Sequence, residues 1–319
     1  MPSRTATLDP SIEALLDSIP CTSRRPRTVE DLSGGLTNRN LKVTNEDGTC
    51  VVRIPAVLGK PGSTEGTGGT GAGLLGINRE HEYRNSQAAE AAGVGAPVLH
   101  YREHYGLTVG FLPGRALTDE DLHDPAVLER VAAACRVLHA GPRFVNEFDM
   151  FEVQAGYRRI VAEHGFRLPP RYDEFAPLVE RIKEALGPRT TVPCNNDLLA
   201  GNLIDDGTQV RIIDYEYSGN NDPCFELGNI WSEATLPLPL LDVLVTAYFG
   251  RPRPAQVARA RLFGLMSKYG WMLWASIQDG SSPLDFDFWE WGMEKYDRAV
   301  AEFDGPDLER LLAVARQPE

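Results

Sequence analysis

The chain has 319 residues, 42% of them apolar and 24% charged, with a formal net charge of −13. That composition suits a globular protein long enough for two lobes, and no apolar run approaches the roughly 18 residues of a membrane-spanning helix. The acidic balance excludes polyanions, whether nucleic acid or an anionic membrane, and fits either a cationic small molecule as partner or plain solubility.

The start of the chain lacks the basic and apolar regions of a signal peptide, so a soluble, cytoplasmic protein is expected. Its five cysteines are scattered and never paired as CxxC. This argues against a disulfide framework or a structural zinc site, and they read as reduced thiols.

In chain order, the turn signal NEDG at 45–48 and the β-rich run TCVVRIP at 49–55 predict a hairpin. The segment 61–73, PGSTEGTGGTGAG, has almost no side chain able to bury and reads as a flexible excursion outside the core. Residues 77–92 lack Gly and Pro and predict a helix that stops before Gly93. Asp124 as N-cap, Pro125 at the first helical position and a stripe of Val127, Leu128, Val131, Cys135 and Leu138 predict a helix ending near Gly141. An amphipathic helix is expected over 173–187, and further helices over 225–234, 237–249, 254–278, 286–302 and 306–316. Between them, NLI at 202–204 and QVRIID at 209–214 flank the turn Asp205-Asp206-Gly207 and predict a second hairpin. A strand-rich first third followed by a helical remainder describes an α+β protein of two unequal lobes.

The stretch 194–229 carries the chemistry. It holds Asp197, then Asn202, then Asp214 at the end of an apolar strand, and the hairpin folds all three back toward one another. Phosphoryl transfer needs such a set: one carboxylate to accept the proton of a substrate hydroxyl, and a carboxylate with an amide oxygen to hold Mg2+ on the phosphates. An ordinary surface hairpin with polar turns would show the same spacing.

The run CNNDLLAGN, followed by IDYEY and GNIWSE, resembles the phosphotransferase loop of the choline/ethanolamine kinase family, a branch of the aminoglycoside-phosphotransferase superfamily. The family form is H-N-D-L-x-x-x-N, then I-D-Y/W-E-Y, then G-N-x-x-x-E. The resemblance implies Asp197 as catalytic base, Asn202 and Asp214 as metal ligands and Glu233 as a carboxylate on the substrate side. Asn195 departs from the family histidine; because that histidine braces the loop and asparagine also donates and accepts, Asn195 is read as tolerated.

LSGGLTN at 32–38 resembles the family's nucleotide loop, which implies that Ser33, Gly34, Gly35, Leu36, Thr37 and Asn38 face the nucleotide. Arg53 then falls where the superfamily places a phosphate-contacting cation, and Glu82 matches the helix glutamate that pairs with it. The segment LTVGFLPGRAL at 107–117 is similar to the linker whose backbone receives adenine.

Trp271 and Trp274 share one helical face, and Phe288 and Trp291 follow in DFDFWEWGMEKY. Aromatic stripes at helical spacing suit a core; they also suit a cage for a quaternary ammonium group, and the W-x-x-W resembles the choline-binding end of the family.

The resemblance, spanning about residues 30–300, implies a protein-kinase-like fold with a β-rich nucleotide lobe over 1–110 and a helical catalytic and substrate lobe over 111–319. It implies ATP and Mg2+ as cofactors and a small cationic alcohol as acceptor, choline first and ethanolamine second. The alternative readings are another small-molecule kinase of the same fold, such as an aminoglycoside or thiamine kinase, and a choline-binding pseudokinase without turnover.

Overall fold

Leu41 and Val43 on one strand face Val52 and Cys50 on the next, and all four are buried. Their alternation is what gives the N-terminal sheet one apolar face. The computed structural model describes residues 9–32, 38–55, 71–103 and 106–317. Ser33, Gly34, Gly35, Leu36, Thr37 and residues 61–70 of the glycine-rich segment lie outside the described residues.

Strands β1 (Thr28–Leu32), β2 (Asn38–Asn45), β3 (Gly48–Pro55), β4 (Val98–Arg102) and β5 (Gly106–Gly110) form an antiparallel sheet in the order β1-β2-β3-β5-β4. Helix α1 (Pro10–Ser18), capped by Asp9, lays Leu16 against that apolar face. The hairpin expected around NEDG is present with β2 and β3 in register from Asn38↔Pro55 to Asn45↔Gly48.

Residues 71–73, expected within the excursion, instead open the short helix α2 (Gly71–Leu74). The next residue, Leu75, is buried in the main core, and that apolar anchor draws the end of the glycine-rich stretch into ordered structure. Helix α3 (Arg79–Ala92) begins two residues later than expected, because the Asn78 side chain accepts from the amides of Glu80 and His81 and caps it. Gly93, at φ 85°, ends it.

The remainder is helical: α4 (Pro125–His139), α5 (Met150–His164), α6 (Ala176–Leu186), α7 (Pro223–Glu233), α8 (Leu238–Phe249), α9 (Pro254–Ser281), α10 (Phe288–Phe303) and α11 (Leu308–Ala315). Helix α5 had no counterpart among the expected elements. The 28-residue α9 is buried continuously from Leu262 to Gln278 and packs against α5, α7, α8, α10 and α11, so it forms the axis of the core. Helices α7 and α9 cross at two glycines, where a Cβ on Gly264 would stand 2.8 Å from the Gly228 carbonyl oxygen. Only glycine permits that approach.

Short strands interrupt the helices. β6 (Arg115–Ala116), β8 (Leu203–Asp205) and β9 (Val210–Ile212) form one sheet; β7 (Val192–Cys194) pairs with β10 (Gly219–Asn221). The β8–β9 pair is the second expected hairpin. Among the described residues no helix is long and apolar enough to cross a membrane.

Candidate active site

Two strand pairs present the loop 195–202 and the turn 214–218 side by side, and side chains from below hold both in place. Glu226 on α7 accepts from the backbone amides of Asn195 (2.9 Å) and Asn196 (2.7 Å). Asn229, one turn on, accepts from the Leu198 amide at 3.0 Å and donates to Ser267 of α9 at 3.0 Å. The close crossing of α7 and α9 thus fixes the height of the loop.

Asn195 and Asn196 spend their side chains on the same task. Asn195 donates to the carbonyls of Ile213 (3.2 Å) and Asp214 (2.7 Å) while its own oxygen accepts from the Asp197 amide (3.1 Å). Asn196 and Asp214 adopt φ of 68° and 65°, a left-handed conformation that Asn and Asp tolerate better than other side-chain residues.

These bonds bring Asp197, Asn202 and Asp214 together. Asn202 Nδ2 donates to the Asp197 carbonyl at 2.8 Å, and its Oδ1 accepts no hydrogen bond among the described residues. Asp214 Oδ1 receives Arg53 Nη2 at 2.6 Å, and its other oxygen takes no hydrogen bond among the described residues. Two oxygens so placed, one of them anionic, are the donor type a hard dication such as Mg2+ requires. The Asp197 carboxylate likewise takes no side-chain hydrogen bond among the described residues. Burial, followed by the charges of Asp214, Glu233 and Glu216, pushes its carboxyl well above the usual carboxylate range, with Lys295 pulling the other way.

Arg53 also reaches Glu82 at 3.3 Å, so the expected pair exists, but Glu82 is shared. Arg79 holds it at 2.7 Å and holds Glu216 at 3.0 Å. Asn38 joins this network, donating to Glu216 at 3.0 Å and accepting from Arg79 at 3.0 Å. Sequence reasoning missed Arg79 and Glu216. Glu216 stands in the quoted IDYEY run and was the available signal.

A cavity of about 490 Å³ opens above these groups. Arg53, Asn202 and Asp214 line its polar end; Val51, Leu107, Val109, Leu112 and Ile204 line the apolar remainder, together with Gly110 and Phe111. A planar apolar base with a polyanionic tail would match that division.

The candidate cage aromatics Trp271, Trp274, Phe288 and Trp291 lie outside the lining of this cavity. Trp271 and Trp274 are buried, 4% and 5% exposed. Trp271 meets Tyr217 edge-on at 5.1 Å, and Trp274 donates its indole N–H to the Tyr217 hydroxyl at 2.7 Å. Trp274 in turn contacts Phe288 (5.7 Å between centroids) and Trp291 (5.4 Å). Glu233 does not stand alone: it is ion-paired with Lys295, which sequence reasoning did not single out.

Beneath the loop, ligand atoms of His139, Cys194 and Glu226 lie within 4.8 Å of one another. Both Glu226 oxygens are committed to backbone amides, His139 Nδ1 lies 2.7 Å from the Tyr248 hydroxyl, and burial holds the Cys194 thiol well above its usual range. These groups brace the loop from below.

The chain is similar to known proteins over most of its length. The profile of the phosphotransferase enzyme family (APH) matches residues 28–262. Ethanolamine kinase 2 of Rattus norvegicus is 28% identical over 255 residues, which cover 70% of this chain and 65% of that protein, so the chain spans just under two thirds of that relative's length. Protein LicA of Haemophilus influenzae is 26% identical over 278 residues, covering 83% of this chain and 77% of LicA. A crystal structure of a choline/ethanolamine kinase family protein from Mesorhizobium loti superposes with a TM-score of 0.81 at 29% identity, covering 96% of this chain and 98% of that one. The two-lobed α+β architecture is the protein-kinase-like fold these proteins share.

Proposed function

Because the chain belongs to the phosphotransferase enzyme family, we propose that it moves the γ-phosphoryl group of ATP to the hydroxyl of a small amino alcohol, choline or ethanolamine. The observation that carries this reading is the convergence of Asp197, Asn202, Asp214 and Arg53 beside one cavity of nucleotide size.

Asp197 is the base in this scheme: its carboxylate takes the proton as the acceptor oxygen bonds to phosphorus and the bond from phosphorus to the ADP oxygen breaks. Arg53 offers positive charge at the polar end of the cavity. Mg2+, held by the oxygens of Asn202 and Asp214, would neutralise phosphate charge. The nucleotide base sits in the apolar part of the cavity. Glu233 and the aromatic group of Trp271, Trp274, Phe288 and Trp291 form the acceptor side.

ADP release by the purified chain, measured with ATP, Mg2+ and a panel of choline, ethanolamine, thiamine and an aminoglycoside, tests the proposal. Turnover with choline or ethanolamine supports it; turnover confined to thiamine or the aminoglycoside, or none with any acceptor, rejects it.

A further inference from the structure

The Lys295 ammonium occupies a site that has the makings of a cation receptor. Lys295 and Glu233 are each 4% exposed as side chains and are bonded to one another through Nζ and Oε2. Nζ also stands 4.3 Å from the centroid of Trp291. A carboxylate on one side and an indole face on the other are the two attractions by which proteins hold an organic ammonium. From there the contacts run through Trp274, Tyr217 and Trp271.

The seat is incompletely satisfied. Glu233 Oε1 and Trp271 Nε1 are buried and have no hydrogen-bond partner among the described residues. An unpaired carboxylate oxygen and an unpaired indole N–H are costly where they stand, and a ligand bearing both a donor and an acceptor would relieve both. An amino alcohol has that pair of groups.

We propose that Lys295 is a specificity-determining residue that fills the seat of the acceptor's cation, so that an acceptor must replace its hydrogen bond to Glu233. This rests on the amino-alcohol function proposed above. A primary ammonium carries three N–H donors and restores the bond that Lys295 gives up. A trimethylammonium group carries none and recovers only the attraction of the aromatic faces and the unshaped charge. The wild-type site therefore favours ethanolamine over choline, and removing the lysine opens the seat to quaternary ammonium ions.

The test compares the full-length protein with Lys295→Met and with the double variant Lys295→Met, Glu233→Gln, which leaves no unpaired charge in the interior should the single variant fold poorly. Two measurements are made on each: kcat/KM for ethanolamine and choline, and calorimetric binding of ethylammonium and tetramethylammonium, which cannot be phosphorylated. Wild type is expected to prefer ethanolamine by about tenfold or more, and Lys295→Met to shrink that preference by about tenfold while tightening tetramethylammonium binding by a similar factor. The double variant should lose the primary-ammonium preference and keep quaternary binding. A wild-type preference for choline, or a ratio and a tetramethylammonium affinity that do not move with the substitution, overturns the assignment. If wild type phosphorylates neither alcohol, the proposed function fails separately; the two unreactive ions then decide the role of Lys295 alone, and their failure to bind any variant overturns it.

Discussion

Asn195 Nδ2 donates to the Asp214 carbonyl at 2.7 Å while Asn195 Oδ1 accepts from the Asp197 amide at 3.1 Å, so one side chain sets the spacing of two acids separated by 17 positions. The residue that departs from the family histidine is thus a brace between Asp197, the proposed base, and Asp214, the proposed metal ligand. Asn195→Ala should lower kcat by about 10- to 100-fold, the scale of a misplaced reacting group, with little change in KM for ATP. Asn195→His should retain kcat within about tenfold. Steady-state kinetics on both variants checks this, and equal activity for Asn195→Ala and wild type would remove the brace.

Asp197 is buried and crowded by Asp214, Glu233 and Glu216, which makes its charge costly in the folded state. Asp197→Asn should cut kcat by about 10²- to 10⁴-fold, and at neutral pH the variant should melt no lower than wild type, because a buried repulsion disappears with the carboxylate. Loss of activity together with a sharply lowered melting temperature would show Asp197 to be structural.

Arg130 on α4 clasps Asp205 of β8 through Nη2 at 2.6 Å and Nε at 3.3 Å, and so ties the hairpin between Asn202 and Asp214 to the helical core. This hydrogen bond first, and the Gly207 amide after it, holds the Asp205 carboxyl below the usual range against the effect of burial. A folded-state value below the unfolded one means that the pair stabilises fully above the unfolded carboxylate's pKa of about 3.9 and stops doing so as pH falls through the lower folded value. Denaturant titrations of wild type and Asp205→Asn should therefore differ by about 1–3 kcal/mol at pH 7 and converge below about pH 4. A gap that stays constant down to pH 3 would contradict this.

Trp274 binds through its ring and its N–H at once. Trp274→Phe keeps most of the apolar contact and removes the bond to the Tyr217 hydroxyl, leaving that hydroxyl in a buried setting without its 2.7 Å donor. The expected cost is about 1–3 kcal/mol of stability with a raised KM for the amino alcohol and an unchanged KM for ATP, since the tryptophan does not line the nucleotide-sized cavity. Thermal melts and both KM values check it; a raised KM for ATP would place the residue differently.

The placement of Asp197, Asn202 and Asp214 at one spot was legible because all three stand within 18 consecutive positions joined by a single hairpin. Local spacing suffices for such a set. Arg79 and Glu216 are 137 positions apart, and Lys295 and Glu233 are 62 apart; their pairing comes from docking of separate elements, which periodicity does not encode. Helix α5 escaped notice because Gly156 and the charged pair Arg158 and Arg159 interrupt its apolar stripe, while its burial comes from contact with α9. The tryptophans sit between the two outcomes: their shared face was plain, but being core or cage depends on Lys295, which no motif in the sequence singles out.

Phosphorus NMR of a reaction mixture holding the purified chain, ATP, Mg2+ and ethanolamine or choline tests the central claim most directly, with Asp197→Asn run alongside. A phosphomonoester resonance of the amino alcohol growing in step with ADP, and absent from the Asp197→Asn reaction over the same time, is the predicted result. Inorganic phosphate as the sole new resonance, or a phosphomonoester formed equally by Asp197→Asn, would contradict it.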